Sequence, residues 1–158
     1  MDHHFETRLE LPFSRDRVFA FFANAENLQR ITPPELRFRI LTPTPFAITT
    51  NTQIDYALKL FGCSFRWTTL ISEWVPPERF VDLQLRGPYA LWEHTHTFTA
   101  TDSGTEIHDL VRYRLPLSPL GDIGYPLIRR QISRIFAFRE QAVRNELGDP
   151  SAKVGRSE

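Results

Sequence analysis

The chain has 158 residues, 41% of them hydrophobic and 13% aromatic, which suits one folded domain with a substantial core and excludes global disorder. Nineteen basic residues balance nineteen acidic ones, which argues against nucleic acid as the main partner, because phosphate binding needs a basic excess. The single cysteine, Cys63, excludes an intrachain disulfide, fits a reducing compartment and, with no CxxC or Cys-His neighbour, is expected as a small buried strand residue.

The first segment, MDHHFETRLELPF, lacks the basic and apolar regions of a signal peptide. No run approaches the roughly 18 apolar residues that span a bilayer, so no integral membrane segment is expected and the cytoplasm is the expected location. From His4 to Leu11, Phe5, Thr7, Leu9 and Leu11 alternate with Glu6, Arg8 and Glu10, predicting a first strand that ends at Pro12. Ser14 caps a following helix with Asp16 in its first turn, and Val18, Phe19, Phe21 and Phe22 form its apolar side. A second short helix is expected over Glu26–Ile31, stopped by Thr32-Pro33-Pro34.

The period then becomes two. Strands are predicted at Arg37–Leu41, Thr52–Leu60, Ser64–Trp74 and Phe80–Arg86, separated by turn residues that favour sequential antiparallel pairing. The most informative stretch is LWEHTHTFTATDSGTEIHDLVRYRL, residues 91–115. Trp92, His94, His96 and Phe98 share one side of its first arm, and Ile107, Asp109, Val111, Tyr113 and Leu115 share one side of its second. Together they predict a hairpin whose apolar face also carries two histidines and an aspartate. A two-residue Asp102-Ser103 turn would set His96 opposite Asp109.

The longest helix is predicted over Ile123–Leu147, closed by Gly148 and Pro150, with Tyr125, Ile128, Ile132, Ile135, Phe136 and Val143 on one face. Arg139 falls in the middle of that stripe, where a guanidinium needs a carboxylate, a ligand anion or a route to solvent; Asp109 and Glu73 are candidate partners. These elements predict an α+β domain at residues 1–148: a curved antiparallel sheet of about seven strands around the C-terminal helix, with two short helices after the first strand. Residues 149–158 are expected as a disordered tail. Such a sheet around one helix often leaves an internal, mostly apolar volume.

Four segments, at residues 11–36, 65–89, 91–116 and 128–143, carry the patterns NLxxITPP, GPYxxWxHxHxF and a closing IFxFR helix. The chain thereby resembles the START/polyketide-cyclase (SRPBCC) superfamily with its helix-grip fold, in a bacterial subgroup that is ligand-binding or cyclase/dehydrase-like. The resemblance implies a hydrophobic cavity. It implies no particular reaction, because the fold hosts carriers, receptors, cyclases and chaperone cofactors alike.

Candidate ligand-binding residues are His94, His96, Asp109, Arg139, Trp92, Tyr113, Tyr56 and Trp67. His96 and Asp109 are the candidates for proton transfer, though a buried hydrogen-bonded pair that fixes sheet register is the preferred explanation of them. HxH points two imidazoles the same way and Asp109 would be a third metal ligand, but the pattern offers no fourth, so neither metal nor cofactor is expected. The sequence contains no nucleophilic Ser-His-Asp constellation, phosphate-binding glycine loop or dinucleotide fingerprint. Binding of a small hydrophobic or aromatic molecule is the preferred function. A polyketide cyclase/dehydrase-like enzyme and a protein-interaction module built on the basic helix face or the Pro-rich loop at 42–46 are the alternatives.

Overall fold

The computed structural model describes residues 1–117 and 120–149. Its strands are β1 (His3–Leu11), β2 (Arg39–Ile40), β3 (Gln53–Leu60), β4 (Cys63–Val75), β5 (Arg79–Arg86), β6 (Leu91–Thr101) and β7 (Gly104–Arg114). Its helices are α1 (Arg15–Phe22), α2 (Ala25–Arg30) and α3 (Tyr125–Leu147), with short 3-10 turns at Pro34–Leu36 and Leu120–Gly124. The strands form one antiparallel sheet in the order β1-β7-β6-β5-β4-β3-β2, a meander closed by β1 against β7. This is the helix-grip architecture.

Local chemistry explains the elements. Ser14 accepts a hydrogen bond from the Arg17 amide and Asn24 from the Glu26 amide, so each short helix begins on a side-chain cap. Gly148 ends α3 at φ 77°, a left-handed position where glycine meets no steric cost. Gly104, at φ 148°, lets the β6–β7 turn press against the end of β1: a Cβ there would lie 2.1 Å from the Leu11 carbonyl oxygen. Register shifts between Thr68 and Thr69 and between Ile71 and Glu73 interrupt the β4–β5 ladder, and such irregularities bend a strand.

The apolar stripe of α3 lies against the inner face of the sheet. Val143 and Leu147 pack with Leu9, Phe98 and Ile107, and Ile132 and Phe136 pack with Val111 and Tyr113. The β2–β4 half of the sheet forms its own clusters, around Leu58, Leu60 and Trp67 and around Ile54 and Ile71.

Three expectations are corrected. The strand expected at Arg37–Leu41 shrinks to Arg39–Ile40, because the 3-10 turn after Pro33-Pro34 runs into Arg37 at φ 45°. Cys63 is exposed, since it directly follows the Phe61-Gly62 turn at the tip of the β3–β4 hairpin. Asp149, expected to start the tail, is buried and accepts a 2.7 Å hydrogen bond from Arg144 Nη1; residues 150–158 of that tail lie outside the described residues.

Candidate functional site

Between α3, the two short helices and the β3–β6 part of the sheet lies a cavity of about 190 Å³. Its wall is mainly apolar, built from side chains such as Phe22, Leu58, Trp67 and Ile132, and exposed Asn24 borders it at the α2 end. An enclosed apolar space of about 150 Å³ accommodates a benzene-sized molecule, so this one suits a small ring system.

His94 and His96 are neighbours on the same side of β6 and lie 4% and 1% exposed, with ring centroids 3.7 Å apart. The β6–β7 register pairs His96 with Asp109 and His94 with Val111, the pairing that the two-residue turn predicts. Asp109 Oδ1 lies 2.9 Å from His94 Nε2 and 2.7 Å from His96 Nδ1. The second contact is close but lies off the N–H direction, so His96 Nδ1 has no well-formed hydrogen bond. Phe80 stacks on His96 with centroids 4.1 Å apart and holds its plane.

Asp82 is the residue sequence reasoning missed. It sits on β5 opposite His94, its Oδ2 3.0 Å from His96 Nε2 and 3.9 Å from His94 Nδ1. The available signal was its phase: Phe80 and Asp82 are two apart on one strand and so share a face. Asp82, His94 and His96 border the cavity, whereas Asp109 lies behind the two rings and borders a separate hollow on the β1–β7 side.

Electrostatics divide the two histidines. Burial alone would lower the His96 pKa, but the close Asp109 charge and the hydrogen bond to Asp82 outweigh it and raise the pKa above 6.5. With a carboxylate beside each nitrogen, the ring can donate at both only as an imidazolium. Burial and the neighbouring His96 charge push His94 below 6.5. Burial opposes ionisation of the two aspartates, yet the histidines more than compensate, holding Asp82 below 3.8 and Asp109 well below it.

Arg139 reaches the cavity from α3 and borders both hollows. Its guanidinium lies 5.4 Å from the Phe22 ring and 5.9 Å from the Phe136 ring, and its Nε is buried without a hydrogen-bond partner. Neither proposed carboxylate pairs with it: Asp109 is held by the histidines, and Glu73 pairs with Arg79. Tyr56 and Trp67 line the cavity with their polar ends on Thr69, at 2.8 Å and 3.1 Å. Burial raises the Tyr56 pKa, so that phenol stays neutral. Trp92 also lines the cavity. Tyr113 does not; it is fully buried beneath Trp92 and Tyr89, and burial pushes its pKa up to about 12.

The site therefore joins an apolar hollow to one guanidinium and to a cluster of buried His94, His96 and Asp109 with half-buried Asp82. Among the described residues no helix is long and apolar enough to cross a membrane.

A search of the curated proteins finds no match. Solved structures share the fold. The Zhui aromatase/cyclase from Streptomyces sp. R1128 superposes with a TM-score of 0.75 at 16% identity, covering 98% of this chain and 99% of that one. TTHA0849 from Thermus thermophilus gives 0.62 at 18% identity, covering 90% and 97%. The di-domain aromatase/cyclase StfQ of the steffimycin biosynthetic pathway gives 0.70 at 15% identity, with this chain covered over 96% of its length and spanning 52% of StfQ. The family model described as polyketide cyclase / dehydrase and lipid transport matches residues 11–136, and the chain belongs to that family.

Proposed function

We propose that the cavity binds one small, largely apolar molecule, aromatic or polyketide-like, that carries an anionic or strongly accepting oxygen group. The observation that carries this reading is Arg139. The charge of Asp82 acts through space on this guanidinium, but no salt bridge among the described residues offsets the desolvation cost of its buried, unpaired Nε on an apolar helix stripe. A carboxylate, enolate or phenolate on the ligand would offset it with charge-assisted hydrogen bonds. The apolar wall supplies affinity; Arg139 and the histidines supply orientation.

Native mass spectrometry of protein purified from its own host tests this. A co-purifying small molecule on the wild type, depleted in Arg139→Met, is expected. Bare protein in both would count against it.

A cyclase/dehydrase-like enzyme is the second reading, favoured by one observation. His96 borders the cavity with Nε2 hydrogen-bonded to Asp82 and its other nitrogen against Asp109, so a proton could pass between the ring and a cavity-side carboxylate. His96→Gln, assayed under conditions where circular dichroism shows the variant to be folded, would then abolish turnover of a poly-β-ketone substrate. Undiminished turnover in that variant would remove the reading.

A further inference from the structure

We propose that Asp82, His94 and His96 form a divalent-cation site in the cavity wall, with Asp109 as the carboxylate behind both imidazoles and at least one coordination position facing the cavity. HxH alone offers Asp109 as the third ligand. The folded chain instead puts Asp82 on the cavity side of both rings, and it is the strand pairing that creates the set.

The donor geometry supports this. One ligating atom from each of Asp82, His94 and His96 lies within 4.8 Å of the others, and two of the separations are 3.0 and 3.9 Å. Ligands roughly 2.0–2.1 Å from a tetrahedral ion stand about 3.3 Å from one another, so small side-chain rotations suffice to close the set. The two histidines are more than nine-tenths buried and come from one rigid strand, which fixes their spacing before any ion arrives.

The second shell is already in place. Imidazoles that ligate a metal commonly donate their other ring N–H to a carboxylate, which fixes tautomer and orientation. Here His94 Nε2 hydrogen-bonds Asp109 Oδ1, and His96 Nδ1 lies 2.7 Å from the same oxygen, needing only a small ring rotation to align with it. A mere register-fixing pair needs one histidine and one carboxylate; this cluster has two of each, with the second carboxylate on the opposite side.

Two imidazoles and one carboxylate with open positions suit borderline divalent ions such as Zn²⁺, Co²⁺ or Fe²⁺ rather than Ca²⁺ or Mg²⁺, which prefer oxygen donors. Two carboxylates and the nearby Arg139 give the site one net negative charge before histidine protonation. A divalent cation leaves it at one net positive charge, matched to an anionic oxygen ligand bound jointly by metal and guanidinium.

The site deepens the ligand-binding reading above, and probing it with metal alone keeps the two separable. Chelator-stripped full-length protein would be titrated with Co²⁺, following the visible d–d bands, and then displaced with Zn²⁺. One equivalent with the bands of a low-coordinate nitrogen/oxygen site is expected. Asp82→Asn, nearly isosteric, should weaken binding by more than the roughly 100-fold that marks the upper end of second-shell losses, and Asp109→Asn by about 10–100-fold. A His3→Ala/His4→Ala double variant, which removes two histidines remote from the cavity, should bind like the wild type. Absence of one-equivalent binding, or binding indifferent to Asp82→Asn, or binding lost in the His3/His4 variant, would overturn the proposal, whether or not an organic ligand is found.

Discussion

His96 and Asp109 face each other across the β6–β7 ladder, 2.7 Å apart and almost wholly withdrawn from solvent. Asp109 serves His94 as well, so one carboxylate orients two rings. Removing it leaves the buried imidazoles with only Asp82 as counter-charge. Asp109→Ala should therefore lower the free energy of unfolding by about 3–5 kcal/mol, as for other broken buried pairs, and Asp109→Asn by less, since the amide keeps an acceptor. Urea unfolding of the three proteins measures this.

The two histidines should titrate on opposite sides of their ordinary value. Histidine-selective NMR is expected to show His96 protonated above pH 6.5 and His94 neutral until below it. The signs for stability follow. His96 binds its proton more tightly folded than unfolded, so its contribution is complete below pH 6.5 and fades as the pH rises through the folded value. His94 works oppositely: the unfolded chain protonates first, and stability falls as the pH drops below 6.5.

Asp82 and Asp109 govern the acid limb. Their folded pKa values lie below 3.8, so the unfolded chain takes up protons first as the pH falls. Their stabilisation is in place above about pH 3.8 and disappears below it. Thermal unfolding between pH 5 and 2 should show a steep loss in the wild type and a shallower one in Asp109→Asn.

Cys63 supplies a simple check on the β3–β4 hairpin. Exposed at the turn of that hairpin, the thiol should react with a disulfide reagent in the folded protein at nearly the rate seen in denaturant. Strong protection would place it inside.

The sequence carried much of this. Alternation along residues 91–115 identified the face shared by His94, His96 and Asp109, and the two-residue turn fixed their register, because a period of two leaves no latitude once one face is apolar. Angular phase alone put Arg139 on the buried stripe of α3. Asp82 escaped because a single aspartate in FVDLQL reads as an ordinary outward strand position, and only pairing with β6 sets it against the histidines. Tyr113 shares the phase of Asp109 but lies farther along the ladder, where Trp92 and Tyr89 cover it. Phase gives a face; it does not say which part of that face the cavity reaches.

Arg139 gives the central claim its sharpest test. Trp67 and Trp92 line the cavity, so their fluorescence reports occupancy by 2-naphthoate or by its neutral methyl ester. The wild type should prefer the carboxylate by roughly 10–100-fold, the worth of one charged hydrogen-bonding contact, and Arg139→Met should lose that preference while remaining equally stable to within about 1 kcal/mol. Equal affinity for the two probes in the wild type, or a preference that survives Arg139→Met, would contradict an anion-orienting cavity.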